Sequence, residues 1–208
     1  MKIIFAAAML FASVSSFVCD KKLNNREHRH AENANRLNEN LNLRLQVYAS
    51  EAKKFVSKNN FNRSFCFLID MKIPSGKKRF FIYDLKGDSV SNASLVTHGS
   101  GSETENGFLN FSNTPNSNAT SLGKYKIGKA YYGKFGLAFK LYGLDASNSN
   151  AFARAVVLHA HPNVPSNEVF PSLICVSWGC PTVNPAFLKI LQTKIENSNK
   201  SILLYIFY

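Results

Sequence analysis

The first regular pattern along the chain is a run of apolar residues at helical spacing between residues 37 and 55. Spacings of three and four residues place side chains on one face of an α-helix, because the helix has about 3.6 residues per turn. The pattern therefore predicts an amphipathic helix that packs its apolar face on the rest of the domain. The apolar positions are Leu37, Leu41, Leu45, Tyr48, Ala52 and Phe55.

Short apolar runs separated by turn residues replace the helical spacing from residue 64 onward. The runs at 65–69 and 79–85 flank the turn sequence Pro-Ser-Gly-Lys-Lys and predict a β-hairpin. A second, short helix is predicted from Asn184 or Pro185 to Lys194, with its apolar face at Phe187, Leu188, Ile190 and Leu191. Further strands are predicted at the apolar runs 125–128, 138–142, 155–159 and 202–208.

Together these elements predict a mostly β domain with a helix before it and a helix near its end. The chain has 208 residues, which leaves little length for a second domain. We expect a signal peptide at 1–19, a polar linker and amphipathic helix at 20–63, and the β-rich domain at 64–208.

The first 19 residues have the composition of a secretory signal peptide. Lys2 supplies the basic start, and the apolar stretch at 3–14 is followed by small serines. This stretch is too short for a membrane span. Cys19 raises the question of lipid attachment, but no small residue precedes it, so a lipoprotein is disfavoured. We expect export to the periplasm or cell envelope and no transmembrane span in the mature protein.

The chain is strongly basic, with 25 Lys and Arg residues against 13 Asp and Glu and a formal net charge of +12. Such a charge attracts polyanions. Because an exported protein rarely meets nucleic acid, we expect acidic polymers of the cell envelope as the partner and no nucleic acid. The alternative is that the charge serves solubility alone.

Removal of the signal peptide would leave an odd number of cysteines, so at least one thiol would be unpaired. Of Cys19, Cys66, Cys175 and Cys180, the last three would remain, which is an odd number. Cys66 and Cys175 are predicted either to pair with each other or to lie buried as thiols. Cys180 is expected to be the free, accessible thiol, with its pKa lowered by His159.

The segment Ser177-Trp178-Gly179-Cys180-Pro181 and the upstream His159 carry the candidate chemistry. A histidine beside a cysteine can generate a thiolate nucleophile for acyl transfer. Gly179 lets the backbone approach a substrate, and the amides of residues 179 and 180 could stabilise an oxyanion. Taken alone, a cysteine and a histidine are more often structural, and the spacing of the His and Cys residues does not suit a structural zinc site.

These residues resemble the His…Ser-x-Gly-Cys signature of the L,D-transpeptidases, the YkuD-like family. Residues 120–127, Thr-Ser-Leu-Gly-Lys-Tyr-Lys-Ile, look like the family's upstream Thr-Pro-x-Gly-x-Phe/Tyr-x-Ile strand, with Ser121 in the proline's place. The His-Gly-Ser-Gly-Ser loop that begins at His98 is similar to one branch of the family. The likeness runs from Cys66 to Pro185 in several ordered blocks.

The resemblance implies a β-sandwich-like mixed fold and no cofactor or metal. It implies that Cys180 attacks the L,D-peptide bond of a peptidoglycan stem peptide, releases the terminal D-amino acid and passes the acyl group to an amine of another stem. His159 would then be the base. Gly179 would belong to the oxyanion hole, and Ser177 would fix the loop by hydrogen bonding.

The chain departs from the family pattern on both sides of the cysteine. Trp178 stands where many members carry a second histidine, and Pro181-Thr182 stands where many carry an aliphatic residue and then arginine. No residue of this chain is therefore assigned the role of that arginine in binding a substrate carboxylate. Substrate contacts are expected from Trp178, His98, His161 and Ser121.

Three other functions are compatible with parts of the pattern. The acyl group could pass to water, which would make the protein an L,D-carboxypeptidase. The fold could serve as a non-catalytic wall-binding module, although the presence of both Cys180 and His159 argues against this. A papain-type protease is disfavoured because the cysteine follows the histidine in the chain.

Overall fold

The computed structural model describes residues 39–208. The predicted signal peptide, Cys19 and Leu37 lie outside these residues. The chain divides into two units, Met1–Arg44 and Leu45–Tyr208. Of the first unit the structure describes residues 39–44, which are helical. Within 39–208 no helix combines the length and the hydropathy that a membrane crossing requires.

The second unit is built on one mixed sheet of eight strands in the order β3-β2-β1-β8-β4-β5-β6-β7. Most neighbouring strands are antiparallel, and the pairs β1–β8 and β6–β7 are parallel. The predicted hairpin is present as the antiparallel pair β1–β2. The strands are β1 Phe65–Asp70, β2 Phe80–Asp84, β3 Ser89–Ser94, β4 Gly123–Gly133, β5 Gly136–Gly143, β6 Val157–Ala160, β7 Thr182–Val183 and β8 Leu203–Phe207.

The predicted N-terminal helix is present, and its described part, α1, covers residues 39–58. Its buried face differs from the predicted stripe, because Tyr48 and Phe55 lie only half-buried at the edge of that face. Tyr48 stacks on Phe207 of β8 with ring centroids 3.6 Å apart. Two alanines on the buried face let the helix backbone approach its neighbours closely. The fully buried positions are Leu45, Ala49, Ala52 and Val56.

The second helix, α2, spans Pro185–Glu196 and supplies one side of the core. Phe187 packs edge-to-face against Phe80 of β2, with ring centroids 5.2 Å apart. Ile190, which was predicted to lie on the apolar face, is instead 40% exposed. The expected mostly β architecture with two helices is confirmed. Large members of the core cluster are Phe67, Tyr125, Phe139, Leu158, Leu191 and Ile206.

Two strands were missed by the sequence analysis. The sequence of β3 is Ser-Val-Ser-Asn-Ala-Ser, which is polar because the strand lies at one edge of the sheet and is largely exposed. The other strand, β7, contains only Thr182 and Val183 and forms the opposite edge. Neither strand has enough alternating apolar residues to be detected by periodicity.

Asn184 begins α2 directly after β7 and joins the helix to the sheet. Its side-chain oxygen accepts a hydrogen bond from the amide of Phe187 at 2.9 Å, which satisfies an amide at the helix start. Its side-chain amide donates to Ser94 Oγ at 3.1 Å. The residue therefore ties together α2, β7 and β3.

We expect Asn184→Ala to lower the free energy of unfolding by about 1–2 kcal/mol, because it removes both the helix cap and a buried hydrogen bond. Urea denaturation would measure the loss. Lys189→Ala on the exposed side of the same helix is the matched control and should change the stability by less than about 0.5 kcal/mol. Equal effects of the two substitutions would contradict the proposed capping role.

Candidate active site

Cys180 lies two residues before Thr182, the first residue of β7, and this position brings it to the strand β6 that carries His159. The two strands pair in parallel with His159 opposite Thr182. The sulfur of Cys180 accepts a weak hydrogen bond from the amide of Val157 at 3.5 Å and lies 3.9 Å from the carbonyl of Ala155. The thiol thus sits at the start of the strand that carries the histidine. Among the described residues no hydrogen bond joins the thiol to the imidazole.

His159 is buried, with only 5% of its surface exposed, and both ring nitrogens have partners. Its Nδ1 lies 3.1 Å from the carbonyl of Ala160, which can only accept, so Nδ1 carries a proton. Its Nε2 lies 3.0 Å from Thr182 Oγ1. Burial lowers the pKa of His159, which favours the neutral ring, so Nε2 accepts from the threonine hydroxyl. The backbone carbonyl of Ala160 therefore orients the imidazole.

The electrostatics of the thiol differ from the sequence-based expectation. Burial raises the pKa of Cys180, and the Val157 amide and the positive charge of Arg154 only partly offset this effect. The expected lowering by His159 is wrong, because the buried imidazole is neutral and supplies no positive charge. The thiol consequently holds its proton at neutral pH and needs a base to become a nucleophile.

Hydrogen bonds of Ser177 hold the loop that carries the cysteine. Its amide donates to the carbonyl of His98 at 2.8 Å, and its hydroxyl donates to the carbonyl of Cys180 at 2.7 Å. The hydroxyl also accepts from the amide of Gly179 at 3.2 Å. The Gly179 amide is therefore engaged. The Cys180 amide has no partner within the described chain and is the group available to an oxyanion.

Gly179 requires the absence of a side chain for two reasons. Its φ of +106° lies in a region that favours glycine, and a Cβ there would lie 2.9 Å from the carbonyl of Ala119. Gly99 faces it so closely that a Cβ on Gly99 would lie 2.8 Å from the Cα of Gly179. The two glycines let the loops of residues 98–102 and 177–180 pack directly on each other.

Arg154 is a site residue that the sequence analysis missed. Its guanidinium donates to the carbonyls of Ser112 and Ala119 at 2.8 and 2.7 Å. It also donates to the hydroxyls of Ser117 and Ser121. Arg154 therefore holds the loop of residues 112–121 beside Gly179 and places a positive charge near the cysteine. It lies outside every motif, so no sequence signal pointed to it.

The four predicted substrate-contact residues lie in different environments. Trp178 is 74% exposed and free to contact a ligand, and His161 is half-buried with its Nδ1 accepting from the Asn163 amide. Ser121 is buried and donates to the Ser112 carbonyl. His98 is buried as well. The side chains of Ser121 and His98 thus support the surrounding loops, and their burial argues against direct substrate binding.

An aromatic ring from the β4–β5 turn covers the His159 imidazole. Phe135 stacks on the ring of His159 with centroids 4.8 Å apart, although about half of the phenyl surface remains exposed. Lys134 and Phe135 form the turn between the strand ends Gly133 and Gly136. The hairpin therefore forms one wall of the site and shields the imidazole from solvent.

All three described cysteines are free thiols. Cys66 is buried in β1, and burial raises its pKa to about 12. Cys175 is a free and exposed thiol, so both predicted alternatives, pairing with Cys66 and burial as a thiol, are wrong for this residue. The pairing of Cys66 with Cys175 is absent from the structure.

Behind the site, the buried Arg79 fixes His98. The guanidinium is 1% exposed and donates to the carbonyls of Val96 and Ile73 and to Nδ1 of His98 at 3.0 Å. Nε2 of His98 then carries the proton and lies 3.6 Å from a carboxylate oxygen of Glu103. Burial and the charge of Arg79 lower the pKa of His98 to about 4.

We expect the protein to lose stability as the pH falls from 6.5 to 4. The unfolded state binds a proton at His98 in this window and the folded state does not, so acid favours unfolding by at most about 3 kcal/mol. Thermal unfolding at several pH values would show the loss. His159 contributes with the same sign, so His98→Gln should reduce the pH dependence without abolishing it. An unchanged profile for this variant would exclude His98 as the cause.

Comparison with known proteins agrees with the sequence resemblance. A model of the L,D-transpeptidase catalytic domain matches residues 38–207. No curated protein matches the chain. A solved L,D-transpeptidase from Xylanimonas cellulosilytica is 14% identical, with 69% of this chain and 60% of that chain covered and a TM-score of 0.40.

Two further solved structures are similarly distant. The helical cell shape determining protein Pgp2 of Campylobacter jejuni is 12% identical, covers 69% of this chain and 47% of its own, and has a TM-score of 0.46. An L,D-transpeptidase from Mycobacterium smegmatis is 10% identical, covers 70% and 59%, and has a TM-score of 0.39. The chain thus spans about half to three fifths of the solved proteins that it matches. Since the family model covers residues 38–207, most of the chain, the protein belongs to the L,D-transpeptidase catalytic domain family.

Proposed function

We propose that this protein is an exported L,D-transpeptidase that acts on peptidoglycan stem peptides through a thioester on Cys180. The observation that carries the proposal is the parallel pairing of β6 with β7, which sets the cysteine loop beside His159. The family match supports the same chemistry. The signal-peptide composition of residues 1–19 supports export, and the transpeptidase-like domain is proposed to occupy 64–208.

Activation of the thiol requires a proton transfer to Nε2 of His159. Thr182 Oγ1 now donates to that nitrogen at 3.0 Å, and the carbonyl of Cys180 lies 3.4 Å from the same hydroxyl. Rotation of the hydroxyl toward the carbonyl frees Nε2 to accept the thiol proton. Since the free thiol has a raised pKa, this transfer accompanies substrate attack rather than preceding it.

In the acylation step, the sulfur of Cys180 bonds to the carbonyl carbon of the L,D-peptide bond. The amide of Cys180 stabilises the oxyanion, and the nearby charge of Arg154 favours the negative sulfur. The C–N bond then breaks, and the D-amino acid leaves with the proton from His159. An amine of a second stem attacks the thioester and transfers its proton to His159. The C–S bond then breaks, and His159 returns the proton to the sulfur, which restores the thiol.

Replacement of the nucleophile gives the first test. We expect Cys180→Ala to abolish release of the terminal D-amino acid from a stem tetrapeptide and to abolish the acyl adduct that intact-mass analysis detects on the wild-type protein. Cys175→Ala removes an exposed thiol outside the site and is the matched control, so it should keep both signals. Wild-type release by the alanine variant at 180 would refute the assignment. Release with water as the sole acceptor would instead identify an L,D-carboxypeptidase.

The two neighbouring histidines provide a second test. We expect His159→Ala to reduce kcat/KM by about 10²-fold or more, the usual contribution of a general base, and His161→Ala to cost much less. Because the pKa of His159 is lowered, the acidic limb of the wild-type pH–rate profile should have its midpoint below pH 6.5, the ordinary pKa of histidine. A larger loss from the substitution at 161 would transfer the role of base to that residue.

A further inference from the structure

A second concave surface shares no lining residue with the candidate active site. It is an open groove of about 720 Å³. The paired strands β4 and β5 form one side, and the end of α2 with the segment that follows it forms the other. We call it the lysine groove. Its charged lining residues are Lys126, Lys129, Lys140 and Lys200.

The charge of the lysine groove is not compensated. All four lysines are exposed, and none of the described residues that line the groove is acidic. None of the four forms an ion pair with a carboxylate in residues 39–208, whereas the neighbouring Lys124 pairs with Asp145 at 3.8 Å. Like charges that line one groove repel one another, so an anion that bound among them would relieve that repulsion.

A distortion of the sheet shapes the groove. The register of β4 against β5 shifts between Ile127 and Ala130, which leaves Gly128 and Lys129 in a bulge. Gly128 allows the ring of Tyr142 to lie across the strand, because a Cβ at Gly128 would come within 2.4 Å of that ring. The side chain of Lys126 lies over the same ring, with its ammonium 5.1 Å from the centroid. The bulge and the ring therefore help to fix where the positive charges stand.

The lysines indicate which kind of anion fits. A lysine ammonium acts as a point charge and binds phosphate without the planar fork through which arginine binds carboxylate or phosphate. The groove has four lysines and, among its described lining, no arginine. It is open to solvent, so a polymer chain can enter it from the side, and Asn199 and Ser201 add neutral polar groups to the wall.

We infer that the lysine groove binds a linear phosphate-bearing polymer of the cell envelope and holds the protein at its substrate. The envelope as the source of the polymer rests on the proposed function. The charge and shape of the groove do not depend on it. The formal net charge of +12 would add long-range attraction, and the groove would supply the local site.

The test compares two quadruple variants with the same change in net charge. Lys126→Gln, Lys129→Gln, Lys140→Gln and Lys200→Gln neutralise the groove. Lys53→Gln, Lys72→Gln, Lys86→Gln and Lys189→Gln neutralise exposed lysines elsewhere. Binding of long-chain inorganic polyphosphate, used as the probe, is measured at several salt concentrations, with thermal unfolding to confirm that each variant is folded.

We expect the groove variant to bind polyphosphate at least tenfold more weakly at low salt and the control variant to change by less than threefold. Log affinity falls with log salt, and the steepness of this fall should decrease by about 3 for the groove variant. Each of the four lost contacts removes about 0.7 from the slope for a single-stranded polyanion. Equal losses in both variants would show that only net charge matters and would overturn the inference. Equal or tighter binding of polyglutamate, or tighter binding of double-stranded DNA, would overturn the choice of a phosphate polymer.

Release of D-amino acid from a soluble stem peptide separates this inference from the proposed function. The groove variant should keep wild-type release, because its substitutions lie outside the catalytic site. If polyphosphate binding depends on the groove but the Cys180→Ala variant stays fully active, the groove inference is supported and the proposed function is refuted. Loss of release in the folded groove variant would contradict the separation of the two sites.

Discussion

The two-residue parallel pairing of β7 with β6 is the constraint on which the candidate site depends. It sets Thr182 opposite His159 and thereby places Cys180, which precedes β7, at the start of the histidine's strand. Such a short strand needs support from both sides. Thr97 donates its amide to the Thr182 carbonyl at 3.0 Å, and the amide of His161 donates to Val183 at 3.0 Å. Asn184 then begins α2 and anchors the end of the strand in the core.

Burial determines the charge of the Cys180 thiol and the His159 imidazole. It raises the pKa of the thiol and lowers that of the imidazole, so both groups are uncharged at neutral pH. A neutral pair avoids the cost of keeping an ion pair away from water. The nearby guanidinium of Arg154 favours the thiolate form, and Phe135 limits the access of water to the imidazole. Under the proposed mechanism, this arrangement suits a nucleophile that forms as it attacks the substrate.

A second, more deeply buried guanidinium supports the same loops from behind. Arg79 satisfies the carbonyls of residues 73 and 96 and holds His98, whose own carbonyl receives the Ser177 amide. A buried charge is tolerated only when its donors are paired, and this pairing fixes the backbone on both sides of it. The buried charge of Arg79 is paired, whereas the exposed lysines of the lysine groove remain in water and accessible to an anion.

The sequence by itself determined the class of fold and the identity of the chemical groups. Apolar periodicity located α1, α2 and six of the eight strands, because those elements bury enough side chains to produce a pattern. The ordered motifs around His159 and Cys180 indicated the family, which the family model confirms. The buried face of α1 was predicted only in part, because Ala49 and Val56 replace the expected Phe55 when the helix packs.

Only the tertiary structure decided which groups stand around the cysteine. Arg154, Phe135 and Thr182 reach the site from three separate segments, and contacts between distant segments leave no trace in local spacing. The direction of the Cys180 pKa shift also depends on burial, which is a property of the packed protein. In the same way, net charge alone predicts an attraction to polyanions, whereas only the fold shows that the bulge in β4 and four lysines lie along one groove, where we infer that the anion binds.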